Sequence, residues 1–150
     1  MSLGVDVATE GVRIPLASAR VSGIAGGVLR AERVRAAMLS ITFVTTRAIA
    51  RLNRVHLGHR GPTDVISFGF APDGIGALVI GDVYIAPDVA RDNARAHRVG
   101  VREEIARLVV HGTLHVLGHD HPDDDAGRAE SAMWRRQEAL LARLFHPPRA

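Results

Sequence analysis

Residues 101–121 read VREEIARLVVHGTLHVLGHDH. Ile105, Leu108, Val109, Leu114 and Leu117 recur at three-to-four spacing, which predicts a helix over 101–117 with one apolar side. Gly118 ends it, since glycine adopts the left-handed backbone that lets a chain reverse at a helix end. His111 and His115 are four apart, so their rings leave one helix face about a turn from each other. His121 follows Gly118 by three residues, and the reversal can return it over the helical pair. Three imidazoles then hold one metal ion, expected to be zinc, and water takes the fourth position as in a catalytic site.

His119 competes for the third place but falls two residues earlier, just past the helix break, and ranks below His121. Asp120 is either a partner that orients a ligand imidazole or a solvated loop carboxylate. The spacing matches the long zincin pattern H-x3-H-x2-G-x2-H, in which glutamate follows the first histidine as general base. Here that residue is Gly112, so peptide hydrolysis loses its base. Glu103 and Glu104 lie more than a turn before His111 and make poor substitutes.

Near the start of the chain, Val5 and Val7 flank Asp6 in a short strand pattern. Leu16, Ala19, Ile24 and Val28 suggest a helix over 16–30, weakened by Gly23, Gly26 and Gly27. Alternation over 37–44 predicts a strand, and Thr45 is placed to cap a helix over 46–56. Val65–Phe70 and Leu78–Ile85 read as strands that can pair across the turn residues between them. Pro87 starts a helix over 88–98, which Gly100 breaks. Asp123, Asp124 and Asp125 open a last helix over about 125–145, with Trp134, Leu140, Leu141 and Leu144 on its apolar side. The order implies an α/β or α+β fold in a single small domain over 1–150. It has one mixed four-stranded sheet, about five helices, and the metal site at the end of a central helix.

The 150 residues, 47% of them hydrophobic, suffice for a core without staples. No cysteine is present, which excludes disulfides and thiolate metal sites. All 19 basic residues are arginine, so the net charge of +3 carries guanidinium forks suited to phosphate. A GC-rich genome produces the same bias, so this is weak support for nucleic acid. Asp6, Glu10 and Arg13 interrupt any leader-like apolar core, and no stretch approaches a membrane span. A cytoplasmic protein with no membrane partner is expected.

The histidine block HGTLHVLGHDH resembles the signature HGxLHLxGxDH of the YbeY endoribonuclease (rRNA maturation factor) family, differing only by Val116 at a specified position. A second block matches LN…PTDVLSF through Leu52, Asn53 and then Pro62, Thr63, Asp64, Val65, Ile66, Ser67 and Phe68. A third, Gly81, Asp82, Val83, Tyr84 and Ile85, matches the family's Gly-Asp-hydrophobic segment. The resemblance covers at least residues 36–145.

It implies one zinc ion per chain on His111, His115 and His121, and a single-strand-specific endoribonuclease. The implied role is late 3′-end maturation of small-subunit rRNA and ribosome quality control. Single-stranded RNA, rRNA and small-subunit proteins or assembly factors are the implied partners. Many members carry an arginine where this chain has Leu57, preceded by His56; Arg60 nearby is the candidate replacement as a phosphate clamp. Asp64 and Ser67 are candidates to line the site, whereas Asp82, a charge on an apolar strand, has no assigned role.

The expected chemistry is metal-assisted phosphodiester cleavage, with either water or the RNA 2′-OH as nucleophile. The two differ in product ends. Competing readings are a non-catalytic ribosome-assembly factor with a structural zinc and a zincin-like metalloprotease. Three imidazoles also suit nickel, copper or cobalt.

Overall fold

The computed structural model describes residues 2–74, 76–120, 127 and 131–146. Its strands are β1 (Ser2–Thr9), β2 (Ala36–Phe43), β3 (Val65–Phe70) and β4 (Leu78–Ile85). Its helices are α1 (Ser18–Ala31), α2 (Thr46–Leu57), α3 (Pro87–His97), α4 (Val101–Val116) and α5 (Ala132–Leu144). The sheet order is β1-β2-β4-β3, with β1, β2 and β4 parallel and β3 antiparallel to β4. The expected α+β architecture, one mixed four-stranded sheet with helices packed on it, is the one observed among the described residues.

Alternation decides which sheet face is covered. Leu39, Ile41, Phe43, Val79, Val83 and Ile85 point to one side and are buried in a single core with α1 and α4. Helix α4 packs against α1, α3, α5, β3 and β4, which makes it the central helix. On the other face α2 closes a smaller cluster around Ile49, Ile66 and Ala86, while Met38, Ile80 and Phe70 form an exposed cross-strand row. Asp82 lies on this outer face and accepts from the Ser40 hydroxyl, so its charge on an apolar strand needs no burial.

Helix ends follow local chemistry. The Thr45 side chain accepts from the Ala48 N–H at 3.1 Å, as expected of an N-cap. Gly118 has φ 95°, and the His119 and Gly118 N–H groups return to the Leu114 and His115 carbonyls, a Schellman stop for α4. Most boundaries fall within two residues of expectation, and two of the differences have a visible local cause. Helix α3 ends one residue early at Arg98, which takes the left-handed conformation (φ 56°) with Val99 bonded back to Ala94; Gly100 instead is the N-cap of α4. No uninterrupted helix runs over 125–145: Ser131 is extended and caps α5 by accepting from the Trp134 N–H. The proposed acidic opening at Asp123, Asp124 and Asp125 lies outside the described residues. No helix among the described residues is long and apolar enough to cross a membrane.

Candidate active site

Three glycines set how closely α4 approaches the sheet. Gly69 and Gly81 are cross-strand partners, and Val116 lies over both. A Cβ on Gly69 would stand 2.8 Å from the Val116 backbone, so the last turn of α4 rests almost directly on the strands. One turn earlier, a Cβ on Gly112 would stand 2.6 Å from Val83 Cγ1, and the Gly112 carbonyl accepts from the Ser67 hydroxyl at 3.0 Å. Position 112 therefore faces the sheet. The glutamate that a zincin places there has no room in this packing.

Beside Gly112 on the same helix, His111 and His115 line a cleft of about 610 Å³. Their ring centroids are 4.6 Å apart at 72°. The cleft walls come from the β3 approach (Thr63, Asp64, Ser67), from Asn93 and His97 on α3, and from Trp134 and Gln137 on α5. Asp64 and Ser67 thus stand where the sequence suggested. Asp64 accepts from the Asn93 amide at 3.1 Å, and its backbone carbonyl accepts from the Ala86 N–H. Buried Asn53 donates to the Gly61 carbonyl at 3.0 Å and shapes the loop that leads to Pro62. The separated Leu-Asn and Pro-Thr-Asp blocks therefore belong to one loop support.

Residues that sequence reasoning set aside or did not single out extend the site along α4. Glu104, Arg107 and His111 follow each other at three-to-four spacing and all line the cleft. Arg107 donates to Glu103, Glu104 and Glu138 at 2.8–3.2 Å. Burial opposes the charge of Arg107, yet its hydrogen bonds to Glu138 and Glu104 outweigh burial and raise its pKa. Glu104 shows the opposite balance: burial raises its carboxyl above the ordinary value despite Arg107. Glu103, beside His146 and Arg107 at the surface, is lowered. On α5, Gln137 is 1% exposed between core residues Met133 and Leu140, and its Oε1 lies 2.6 Å from His111 Nδ1. Trp134, expected on the apolar side of the last helix, is half-buried on the cleft wall.

The remaining candidates divide clearly. His119 bonds Glu32 at 2.6 Å and lines a separate depression on the other side of the α4 terminus, away from the cleft. His121 lies outside the described residues, and among the described residues no third His, Cys, Asp or Glu joins His111 and His115 as a metal-holding group. Leu57 lines the cleft, whereas Arg60 is exposed on the neighbouring loop and does not line it. Two adjacent imidazoles on an open cleft, with a left-handed glycine turning the chain after them, fit the donor chemistry of a zinc site.

A protein of Frankia alni with the name endoribonuclease YbeY is 35% identical over 93% of this chain and 82% of its own length. One of Bacillus licheniformis with the same name is 33% identical over 95% of this chain and 96% of its own. A solution structure from Thermotoga maritima shares the fold with a TM-score of 0.61 at 21% identity, covering 95% of this chain and 89% of that one. The family model described as endoribonuclease YbeY matches residues 12–145, a span that holds α4, the Gly112–Ser67 contact and every wall of the histidine cleft. On that match the chain belongs to the endoribonuclease YbeY family.

Proposed function

We propose that this chain is a zinc-dependent endoribonuclease that cuts single-stranded RNA, with His111, His115 and His121 holding one ion. The observation that carries the reading is the pair His111–His115, 4.6 Å apart on the cleft wall in a member of an endoribonuclease family. When bound, zinc supplies Lewis acidity to a phosphodiester and lowers the pKa of water from about 15.7 to about 7.

The chain's own residues bind and shape. Trp134 offers a ring face on which an unpaired base stacks. Asn93 and Ser67 add polar groups from the neighbouring walls, and Arg60, exposed on the loop next to the cleft, reaches a backbone phosphate. Glu104 is not the base for the reaction: seven residues along α4 place it about 10.5 Å from His111, and Arg107 occupies it. Maturation of small-subunit rRNA in the cytoplasm, with small-subunit proteins or assembly factors as partners, is the role proposed for this activity.

Cleavage of a labelled single-stranded RNA, run beside His115→Ala with zinc content measured in both, tests the reading. The expected result is that only the native chain holds zinc and cuts. A native chain that holds zinc yet cuts no faster than the variant would replace this reading with the non-catalytic assembly factor. Leu57, an apolar residue on the cleft wall where the resemblance leads one to expect arginine, favours that second reading.

A further inference from the structure

Gln137 is a neutral amide in the hydrogen-bond chain that joins α5 to His111. Its Nε2 lies 3.0 Å from Glu138 Oε2 and its Oε1 lies 2.6 Å from His111 Nδ1. The orientation of such an amide has to be deduced from its neighbours. Here the neighbours decide it. Glu138 accepts from Arg107 Nε at 3.0 Å and Arg107 Nη2 at 3.2 Å, so its carboxylate is ionised and only accepts. The Gln137 end that faces Glu138 must be the NH2. Its carbonyl oxygen then faces His111, and a carbonyl oxygen only accepts. Nδ1 of His111 must therefore carry the hydrogen.

We propose that Gln137 is a positioning residue that locks His111 as the Nδ1–H tautomer and presents Nε2 as the lone-pair nitrogen on the cleft side. The polarity runs from Arg107 through Glu138 and Gln137 to the imidazole. Two features make the lock firm. Gln137 is 1% exposed, so water does not compete for its oxygen. Rotating the amide would set its NH2 against the imidazole N–H and its oxygen against the Glu138 carboxylate, which leaves buried groups unpaired. The ring that the lock presents is pre-oriented for a cation, as an outer partner does for a ligating histidine. Only this last consequence rests on the zinc reading.

The tautomer is measurable without metal. Long-range 1H–15N correlation on metal-free, histidine-labelled protein at about pH 8, above the ordinary imidazole value near 6.5, distinguishes the two ring nitrogens. The native chain is expected to show Nδ1–H for His111. Gln137→Met, close in volume, is expected to release the ring toward Nε2–H and to weaken zinc binding about 10- to 100-fold. Gln137→Glu restores an acceptor and is expected to keep Nδ1–H even where its repulsion with Glu138 lowers the melting temperature.

Nε2–H in the native chain, or an unchanged spectrum in folded Gln137→Met, overturns the proposal. If Gln137→Met does not fold, the native and Gln137→Glu spectra decide. Nδ1–H in a native chain that binds no zinc keeps the lock and ends the metal reading; tight zinc binding with Nε2–H does the reverse.

Discussion

The Ser67 hydroxyl donates to the Gly112 carbonyl at 3.0 Å, and this bond ties the turn of α4 that bears His111 to strand β3. It requires α4 to lie on the sheet without a side chain between them. Alanine at position 112 gains up to about 1 kcal/mol of helix propensity. Against this, its Cβ would stand 2.6 Å from the stiff, buried Val83 and 3.1 Å from Ser67 Oγ. Overpacking of that kind costs about 1–3 kcal/mol, so the clash wins and Gly112→Ala is expected to be destabilising. Gly23 on α1 is the counter-case, since a Cβ there meets nothing within 4 Å. Gly23→Ala is expected to stabilise by about 0.5–1 kcal/mol. Thermal melts of the two variants should move in opposite directions, and a shift of the same sign for both would contradict the packing described.

Helices α1 and α3 end as α4 does, yet with arginine in place of glycine. Arg33 (φ 63°) and Arg98 (φ 56°) occupy the left-handed position, with Val34 bonded back to Leu29 and Val99 to Ala94. The left-handed conformation costs a residue with a Cβ about 1–2 kcal/mol, and glycine returns part of that gain as unfolded-state entropy. Arg33→Gly and Arg98→Gly are each expected to stabilise by up to about 1 kcal/mol. Urea denaturation that finds either glycine variant less stable would mean the guanidinium makes compensating contacts.

These caps show why some of the fold was readable and some was not. The periodic apolar face of α4 and the alternation in β2 reflect burial, and β3 and β4 are rich in strand-forming residues between turn residues, so each leaves a signature in residue order. Strands Val65–Phe70 and Leu78–Ile85 therefore fall where the sequence placed them. A stop made by Arg98 leaves no such signature, because its backbone angle is imposed by hydrogen bonds to Ala94 and Arg95. The same holds in the cleft. His111 and His115 announce themselves by spacing. Gln137 reaches His111 across 26 residues of chain through α4–α5 packing. Its one sequence signal is a polar residue between Met133 and Leu140 on an apolar stripe. Glu104 also carried a signal, since two turns along a helix return to the same face; its distance from His111 rightly sets it aside as a base, yet it still lines the cleft.

Burial and ion pairing act on Glu104 in opposite senses, and pH decides between them. Its folded-state pKa is raised above the ordinary 4.5, chiefly by burial. The folded protein then holds a proton that the unfolded chain has released. The associated stability is fully present below the unfolded pKa and is lost as pH rises through the folded value. Glu104→Gln mimics the protonated form and lacks this dependence. Native stability measured against Glu104→Gln is therefore expected to fall as pH rises above 4.5. A native chain that gains on the variant over that range would show that the 2.8 Å bond to Arg107 outweighs burial.

Leu57 lines the cleft where the family resemblance leads one to expect arginine, while Arg60 stands exposed three residues further along. If Arg60 has taken over the phosphate contact, Arg60→Ala is expected to weaken binding of single-stranded RNA about tenfold, as loss of a charged hydrogen bond does. The slope of log affinity against log salt should become shallower by about 0.7, the value for one phosphate on a single strand. Leu57→Arg in the Arg60→Ala background should restore both affinity and slope, because a guanidinium then stands on the cleft wall itself. Binding titrations at three salt concentrations check this. Unchanged affinity and slope in Arg60→Ala would remove Arg60 from the site and leave the phosphate contact to other residues.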